Sequence, residues 1–352
     1  MTKQQSNQDL AVWALTENGR ALGLRILGHA GGGDLFLSAS VADPPASARA
    51  FTSLAPQVAE SFRQYRSHVF IMAAGIAVRV TAPLLGRKSE DPAVVVLDDA
   101  GRFSISLLSG HLGGANDLAR SVAGWTGALP VITTATDAHG LPGVDVLARD
   151  RGLFMENPEA VKWVSRSLLE GKPVPLLDPL GFFRDAPPEH FRRAETQDGL
   201  DGDAPCVAVS DEAGPFGPRT LVLRPRSLCV GMGCRKGVPG EELKEFLETV
   251  FNARGLSVRS ILCLATADIK AEEPGMLWLA GRLNANLRLF TSRELAQVEN
   301  VPTPSLMVER YLGASSVCEA AAMKAANAKK CLITKTKSGK ATLAVARLAC
   351  PW

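Results

Sequence analysis

His111, Asn116 and Asp117 stand close together in the stretch Ser104–Arg120, among Gly110, Gly113, Gly114 and Ala115. Small residues let a large ligand approach backbone N–H groups, and the polar side chains can then act on it. A histidine titrates near neutrality, which suits acid–base work. The apolar run Ile105, Leu107, Leu108 breaks at Ser109-Gly110, so His111 falls in a turn between a strand and a helix over Leu112–Trp125. The run Val131–Asp137 ends a further strand, Pro130–Thr134, with the hydroxyls of Thr133, Thr134 and Thr136 and the carboxylate of Asp137. Such hydroxyls can bind ligand carboxylates or amides, and Asp137 can act as a base or hold a water. The plainer readings are a helix cap for the threonines, a local backbone bond for Asn116 and a solvated helix face for Asp117.

Three other segments could carry chemistry. Ala74-Gly-Ile-Ala-Val-Arg79 follows an apolar strand, where Gly75 permits a turn and Arg79 could serve an anion at a helix start. Gly231-Met-Gly-Cys-Arg-Lys-Gly237 reads as an anion-binding loop that offers Gly231, Gly233, Cys234, Arg235 and Lys236. Its third glycine comes one place too late for the dinucleotide fingerprint, and it lacks the Lys-Ser/Thr of a Walker loop. Thr266, Asp268 and Lys270 would line the same sheet edge. His29 reads as a loop residue and His139 as a turn residue. No Gly-x-Ser-x-Gly elbow is present, and no cysteine has a local histidine partner.

The elements that must position these groups alternate as strand, helix, strand. Leu10–Leu15, Asp34–Leu37, His68–Ala74, Val94–Leu97 and Phe103–Leu108 read as strands, the third so apolar that its sheet must be covered on both faces. Ala21–Leu27 is ambiguous between helix and strand, and Val58–Tyr65 is helical. The pattern predicts an α/β fold: N- and C-terminal α/β domains with mainly parallel sheets, over 1–140 and 227–352, joined by a smaller middle module over 141–226 that is helical from Asp145 to Pro179 and has extended connections over 180–227. In the last part, Leu228–Val230, Val258–Leu262 and Leu287–Phe290 are strands, Pro239–Phe251, Pro274–Leu283 and Ser315–Ala326 are helices, and a hairpin turns around Ser338-Gly339.

A length of 352 residues suits two or three domains. A net charge of +3 excludes general nucleic-acid binding, although mild basicity suits a polyanionic small substrate. No apolar run reaches the length of about 18 residues that a membrane helix needs. The polar segment Met1–Asp9 lacks a signal region, and seven cysteines without a CxxC pair point to a reducing cytoplasm and no metal site.

Together these segments closely resemble the cobalt-precorrin-5A hydrolases of anaerobic cobalamin biosynthesis, the CbiG family. The resemblance rests on Gly75–Leu85, Asp91–Leu97, Ser106–Ala119 and Pro130–Asp137 in the N-terminal part and Asn157–Val161 in the middle. In the C-terminal part it rests on Gly231–Gly237, Leu264–Thr266, Asp268–Lys270, Gly313–Val317 and Glu319–Ala321. Asp117 replaces a frequent glutamate of the family, and Met232 a usual aliphatic residue. Residues 180–227 match nothing of use.

The resemblance implies opening of the δ-lactone of cobalt-precorrin-5A by water and loss of a two-carbon fragment as acetaldehyde, giving cobalt-precorrin-5B. Cobalt arrives with the substrate, so no cofactor and no protein metal ligand are expected. The roles expected from residue type are water activation by His111 or Asp137, assisted by Asn116, and an oxyanion site at the N–H groups around Gly75 and Gly110. Gly113, Gly114, Thr133, Thr134, Gly231, Gly233, Cys234 and Thr266 would contact the substrate, and Arg79, Arg235, Lys236 and Lys270 would hold its carboxylates. Partners are the corrinoid intermediates and, by hand-over, neighbouring pathway enzymes, with neither nucleic acid nor membrane; the oligomeric state is not decided. The competing readings are a corrinoid carrier without chemistry and a phosphate-binding enzyme using the glycine turns.

Overall fold

The computed structural model describes residues 9–87, 90–196, 199–200, 203–303 and 316–348. The terminal segment 1–8 and the motif residues Gly313, Ala314 and Ser315 lie outside them. The chain divides into two compact units, Met1–Leu147 and Ala148–Trp352.

The first unit is built on a sheet of β1 (Leu10–Ala14), β2 (Asp34–Ser38), β3 (Arg49–Phe51), β4 (Ser67–Ile71), β5 (Ala93–Leu97), β6 (Phe103–Leu108) and β7 (Leu129–Val131), in the order β3-β2-β1-β4-β5-β6-β7. The first five run parallel, β6 runs antiparallel to β5, and β7 follows β6. Successive residues of β1 face opposite ways, as a pleated strand requires. Val12 packs with Ile26 and Val122, whereas Trp13 packs with Phe36, Phe62 and Phe70. Helices α1 (Glu17–Ala30) and α4 (Ala115–Thr126) cover the first face, and α2 (Leu54–Ser61) and α3 (Ala74–Thr81) the second.

The ambiguous Ala21–Leu27 is the middle of α1. Thr16 caps the helix by accepting from the Gly19 N–H at 3.0 Å, and Gly31 ends it at φ 75°. His29 is therefore not a loop residue. It occupies the last turn of α1 and stacks on Trp125, the ring centroids 6.2 Å apart.

In the second unit, the middle stretch expected to be helical and then extended carries a sheet of its own. It contains β8 (Phe154–Met155), β9 (Val174–Leu177), β10 (Phe191–Ala194), β11 (Cys206–Val209) and β12 (Thr220–Arg224), ordered β10-β9-β11-β12-β8. Only β8 pairs antiparallel. These strands are short but fully buried where they matter, so four-residue apolar runs among Pro, Gly and Asp suffice.

The last sheet has the order β15-β14-β13-β17-β16, from β13 (Leu228–Cys234), β14 (Ile261–Ala267), β15 (Asn286–Phe290), β16 (Ile333–Lys337) and β17 (Ala341–Arg347). The helices Gly240–Ala253 and Pro274–Leu283 pack on one face, and Val317–Ala326 on the other. Buried Asp211 ties the two sheets of this unit. It accepts from Ser227 Oγ at 2.6 Å and from Arg347 Nε and Nη2 at 2.8 and 2.7 Å.

Candidate active site

The site in the first unit is assembled where β6 and β7 end. After Leu108 the chain turns at Ser109, whose φ is 57°. The helix begins only at Ala115, three residues later than its apolar spacing indicates, because Gly114 at the N-cap has φ 86°. The glycines of this turn make space for neighbours: a Cβ on Gly110 would lie 2.7 Å from Asn116 Oδ1, and one on Gly113 2.4 Å from Ser109 Cβ. Strand β7 stops at Val131, and Thr134 then becomes the N-cap of α5 (Ala135–Ala138). That short helix delivers Asp137.

Asp137 is the hub. Its Oδ2 accepts from Thr134 Oγ1 at 2.7 Å and Asn116 Nδ2 at 3.0 Å, and lies 2.9 Å from His111 Nε2; its Oδ1 accepts from Arg120. Asn116 is held in turn by Ser106, which donates to its Oδ1 at 2.7 Å, and also donates to Thr134 Oγ1 at 2.9 Å. Thr136 Oγ1 is 3.1 Å from His111 Nε2. On the other side of the ring, Nδ1 lies 3.2 Å from Oδ1 of Asp145, in the first turn of α6 (Val144–Asp150).

Burial pushes the Asp137 carboxyl up, but the hydrogen bonds from Thr134, Arg120 and His111 outweigh it and bring it down to about 2. The hydrogen bond to Asp145 raises the His111 pKa against the opposing effect of burial, and Asp137 raises it further. Beside the ring opens a cavity of about 230 Å³. Leu141, Pro142, Val146 and Leu147 form its apolar wall, and Asn116, Asp117 and Arg120 its polar one. Sites for drug-sized ligands span about 300–1,000 Å³. This cavity therefore admits part of a large ligand rather than the whole of it.

Of the residues singled out from sequence, His111, Asn116, Thr134, Asp137 and Gly110 meet here. Gly113 and Gly114 shape the turn. Thr133 is exposed, and Thr136 takes the place beside His111. Asp117 is half-exposed and pairs with Arg120 at 3.2 Å. Gly75 and Arg79 do not join the cluster. Gly75 follows the end of β4 at which Ile71 pairs with Leu97, whereas Gly110 follows Leu108, which pairs with Val94 at the other end of β5. Val94 and Leu97 stand about 10 Å apart along β5 and the two turns leave the sheet at its opposite ends, so the two glycines do not converge on one oxyanion. Antiparallel β6 is the reason: it reverses the sheet edge at which its turn emerges. Gly75 is an ordinary first-turn residue of α3, and Arg79 Nη1 reaches its carbonyl at 3.4 Å.

The second unit corrects the expected loop. Gly231, Gly233 and Cys234 belong to β13, and only Arg235–Gly237 turn. Gly231 is buried, and a Cβ there would stand 1.7 Å from the Cys318 carbonyl oxygen. It lets the helix Val317–Ala326 lie directly on the strand. Thr266 is fully buried, and its hydroxyl has no hydrogen-bond partner among the described residues, so it is not presented to a ligand at the surface. Arg235 and Lys236 are exposed, but Lys270 is tied at 3.0 Å to Glu273, which also accepts from the Gly237 N–H at 2.6 Å.

Residues 56–137, 142–225 and 228–346 match the domains described as Cobalamin synthesis G N-terminal, Cobalamin biosynthesis central region and Cobalamin synthesis G C-terminus. The chain belongs to the cobalamin synthesis G family. Within it, the chain is 32% identical over 297 residues to the cobalt-precorrin-5A hydrolase of Priestia megaterium, across 81% of this chain and 79% of that protein. It is 35% identical over 276 residues to the cobalt-precorrin-5A hydrolase of Salmonella typhimurium strain LT2, across 75% of this chain and 77% of that one. The solved structure of CobE, a protein from the cobalamin (vitamin B12) biosynthetic pathway, is 34% identical over 35% of this chain and 90% of its own, with a TM-score of 0.33. The N-terminal family match ends at Asp137 and the central one begins at Pro142, so Asp145 lies in the central match.

Two members of the site escaped sequence reasoning. These are Arg120, the last residue of the His111 stretch, and Asp145, neither of which was given a role from the sequence. Nothing local marks Asp145 as a partner of a histidine 34 positions earlier. The glycine at 143 is the one signal, since a Cβ there would crowd Asp145 Oδ1 at 3.3 Å and His111 Cε1 at 3.6 Å.

Proposed function

We propose that this chain hydrolyses cobalt-precorrin-5A in cobalamin biosynthesis. The observation that carries this is the identity of 32–35%, over three quarters or more of the chain, to two relatives that bear that enzyme's name. Those names do not favour a carrier without chemistry. In this reading water opens the δ-lactone and the two-carbon fragment departs as acetaldehyde. Cobalt enters as part of the substrate, and the protein supplies proton transfer and shape.

The cavity beside His111 takes the lactone edge of the macrocycle. Lactone opening needs a proton at the departing oxygen and a path for the proton of the attacking water. His111 serves that exchange, and Asp137 holds it in place. Asp137 is not the base, because a carboxyl at about 2 whose oxygens already accept four donors has little affinity for a proton. Arg120 lines the same cavity and is the cation we assign to a carboxylate of the bound macrocycle. We assign the protein to the cytoplasm, in keeping with six described cysteines that are all unbridged. We place domain divisions after residues 140 and 226, and hand-over of product to the next pathway enzyme belongs to the same reading.

The test is anaerobic incubation with enzymatically made cobalt-precorrin-5A, trapping acetaldehyde and weighing the macrocycle. Acetaldehyde with a product that has gained water and lost two carbons is expected. Tight binding with an unchanged macrocycle would overturn the reading in favour of a carrier.

A further inference from the structure

We infer that Asp145 is a positioning residue which, with Asp137, clamps His111 as an imidazolium and so fixes the orientation and charge of the ring that lines the cavity. The mechanistic half of this rests on the functional reading above; the electrostatic half does not.

The argument begins with valence. A neutral imidazole carries one N–H, so it can donate to one partner and must turn a lone pair toward the other. Here both ring nitrogens face carboxylate oxygens, Nε2 at 2.9 Å from Asp137 and Nδ1 at 3.2 Å from Asp145. A lone pair aimed at either carboxylate would repel it. An imidazolium donates to both. Asp145 is nearly enclosed, its side chain 5% exposed, and its Oδ1 also accepts the Val146 N–H at 3.1 Å. A buried carboxylate without a cation is costly, and His111 is the cation within reach.

The charges on all sides agree. From α5, Asp137 faces Nε2. From α6, Asp145 faces Nδ1. From α4, Arg120 is directed to the far oxygen of Asp137 and to Asp117 rather than to the ring. The proton does not settle on Asp137, which is already saturated with donors. Gly143 packs beside the clamp, where a Cβ would press on Val146 Cγ2 at 3.2 Å and Asp145 Oδ1 at 3.3 Å.

The experiment is a titration of the His111 ring by NMR in the full-length protein and in Asp145→Asn, with Asp145→Glu as the conservative variant. It is paired with kcat against pH on cobalt-precorrin-5A, and circular dichroism checks that each variant folds. In the wild type His111 should titrate above the ordinary histidine range. Asp145→Asn should bring it down, move the alkaline limb of kcat to lower pH, and lower kcat on the order of 100-fold at mildly alkaline pH. Asp145→Glu should restore part of both shifts. An unmoved His111 titration in folded Asp145→Asn would overturn the clamp. A lowered titration with an unmoved alkaline limb would overturn the link between this clamped charge and turnover. Absence of turnover in the wild type itself, with the titration as described, would overturn the functional reading and leave the clamp standing.

Discussion

His111 gathers nearly all the chemistry legible at the scale of single residues. Replacing it with alanine should lower kcat roughly 100-fold or more, the usual worth of a positioned acid–base group, with the far-ultraviolet spectrum unchanged. Turnover within a few-fold of wild type would remove it from the mechanism. His68 presents the opposite case, a histidine kept neutral. It is fully buried in β4, accepts from Trp13 Nε1 at 3.1 Å, lies 3.0 Å from the Phe62 carbonyl, and burial lowers its pKa from 6.5 to about 4. A folded pKa below the unfolded one means that the fold prefers the neutral ring. The stability this contributes is full above pH 6.5 and is lost as pH falls toward 4, a difference of about 3 kcal/mol. The urea midpoint should fall across that window, and less steeply in His68→Asn. Equal declines in the two proteins would refute the assignment.

At the scale of elements, a glycine that sequence reading reserved for a ligand can instead serve contact between strand and helix. Gly231 illustrates this best. The carbonyl of Cys318 leaves no space for a methyl group, and backbone cannot move aside as a flexible side chain can. Gly231→Ala should destabilise the second unit by about 1–3 kcal/mol, read as a lowered denaturation temperature. Substrate affinity lost at unchanged stability would return Gly231 to the binding site. Its place in a strand could not be read from Gly-Met-Gly-Cys, because glycine spacing suits a phosphate loop and a strand under a helix equally well.

At the scale of the molecule, the decisive fact is the direction of β6. It divides the polar turns of the first unit between two ends of one sheet and leaves the His111 cluster without Arg79. Arg79→Ala should therefore change kcat by no more than a few-fold, in contrast to substitutions at His111. A loss of kcat comparable with that of His111→Ala would mean that both ends of the sheet act on one reacting group.

The sequence by itself determined the α/β class, most strands and helices, the family, and the polar residues of the two motifs that build the site. Those features are local. Apolar periodicity reports which face of an element is buried, and a glycine next to a histidine reports a turn. Tertiary structure alone decided that Asp145 completes the histidine clamp, that Gly75 stands apart from Gly110, and that Thr266 is sealed in the core. These depend on strand direction and on residues far apart in sequence, and no local pattern encodes the sense in which one strand lies beside the next.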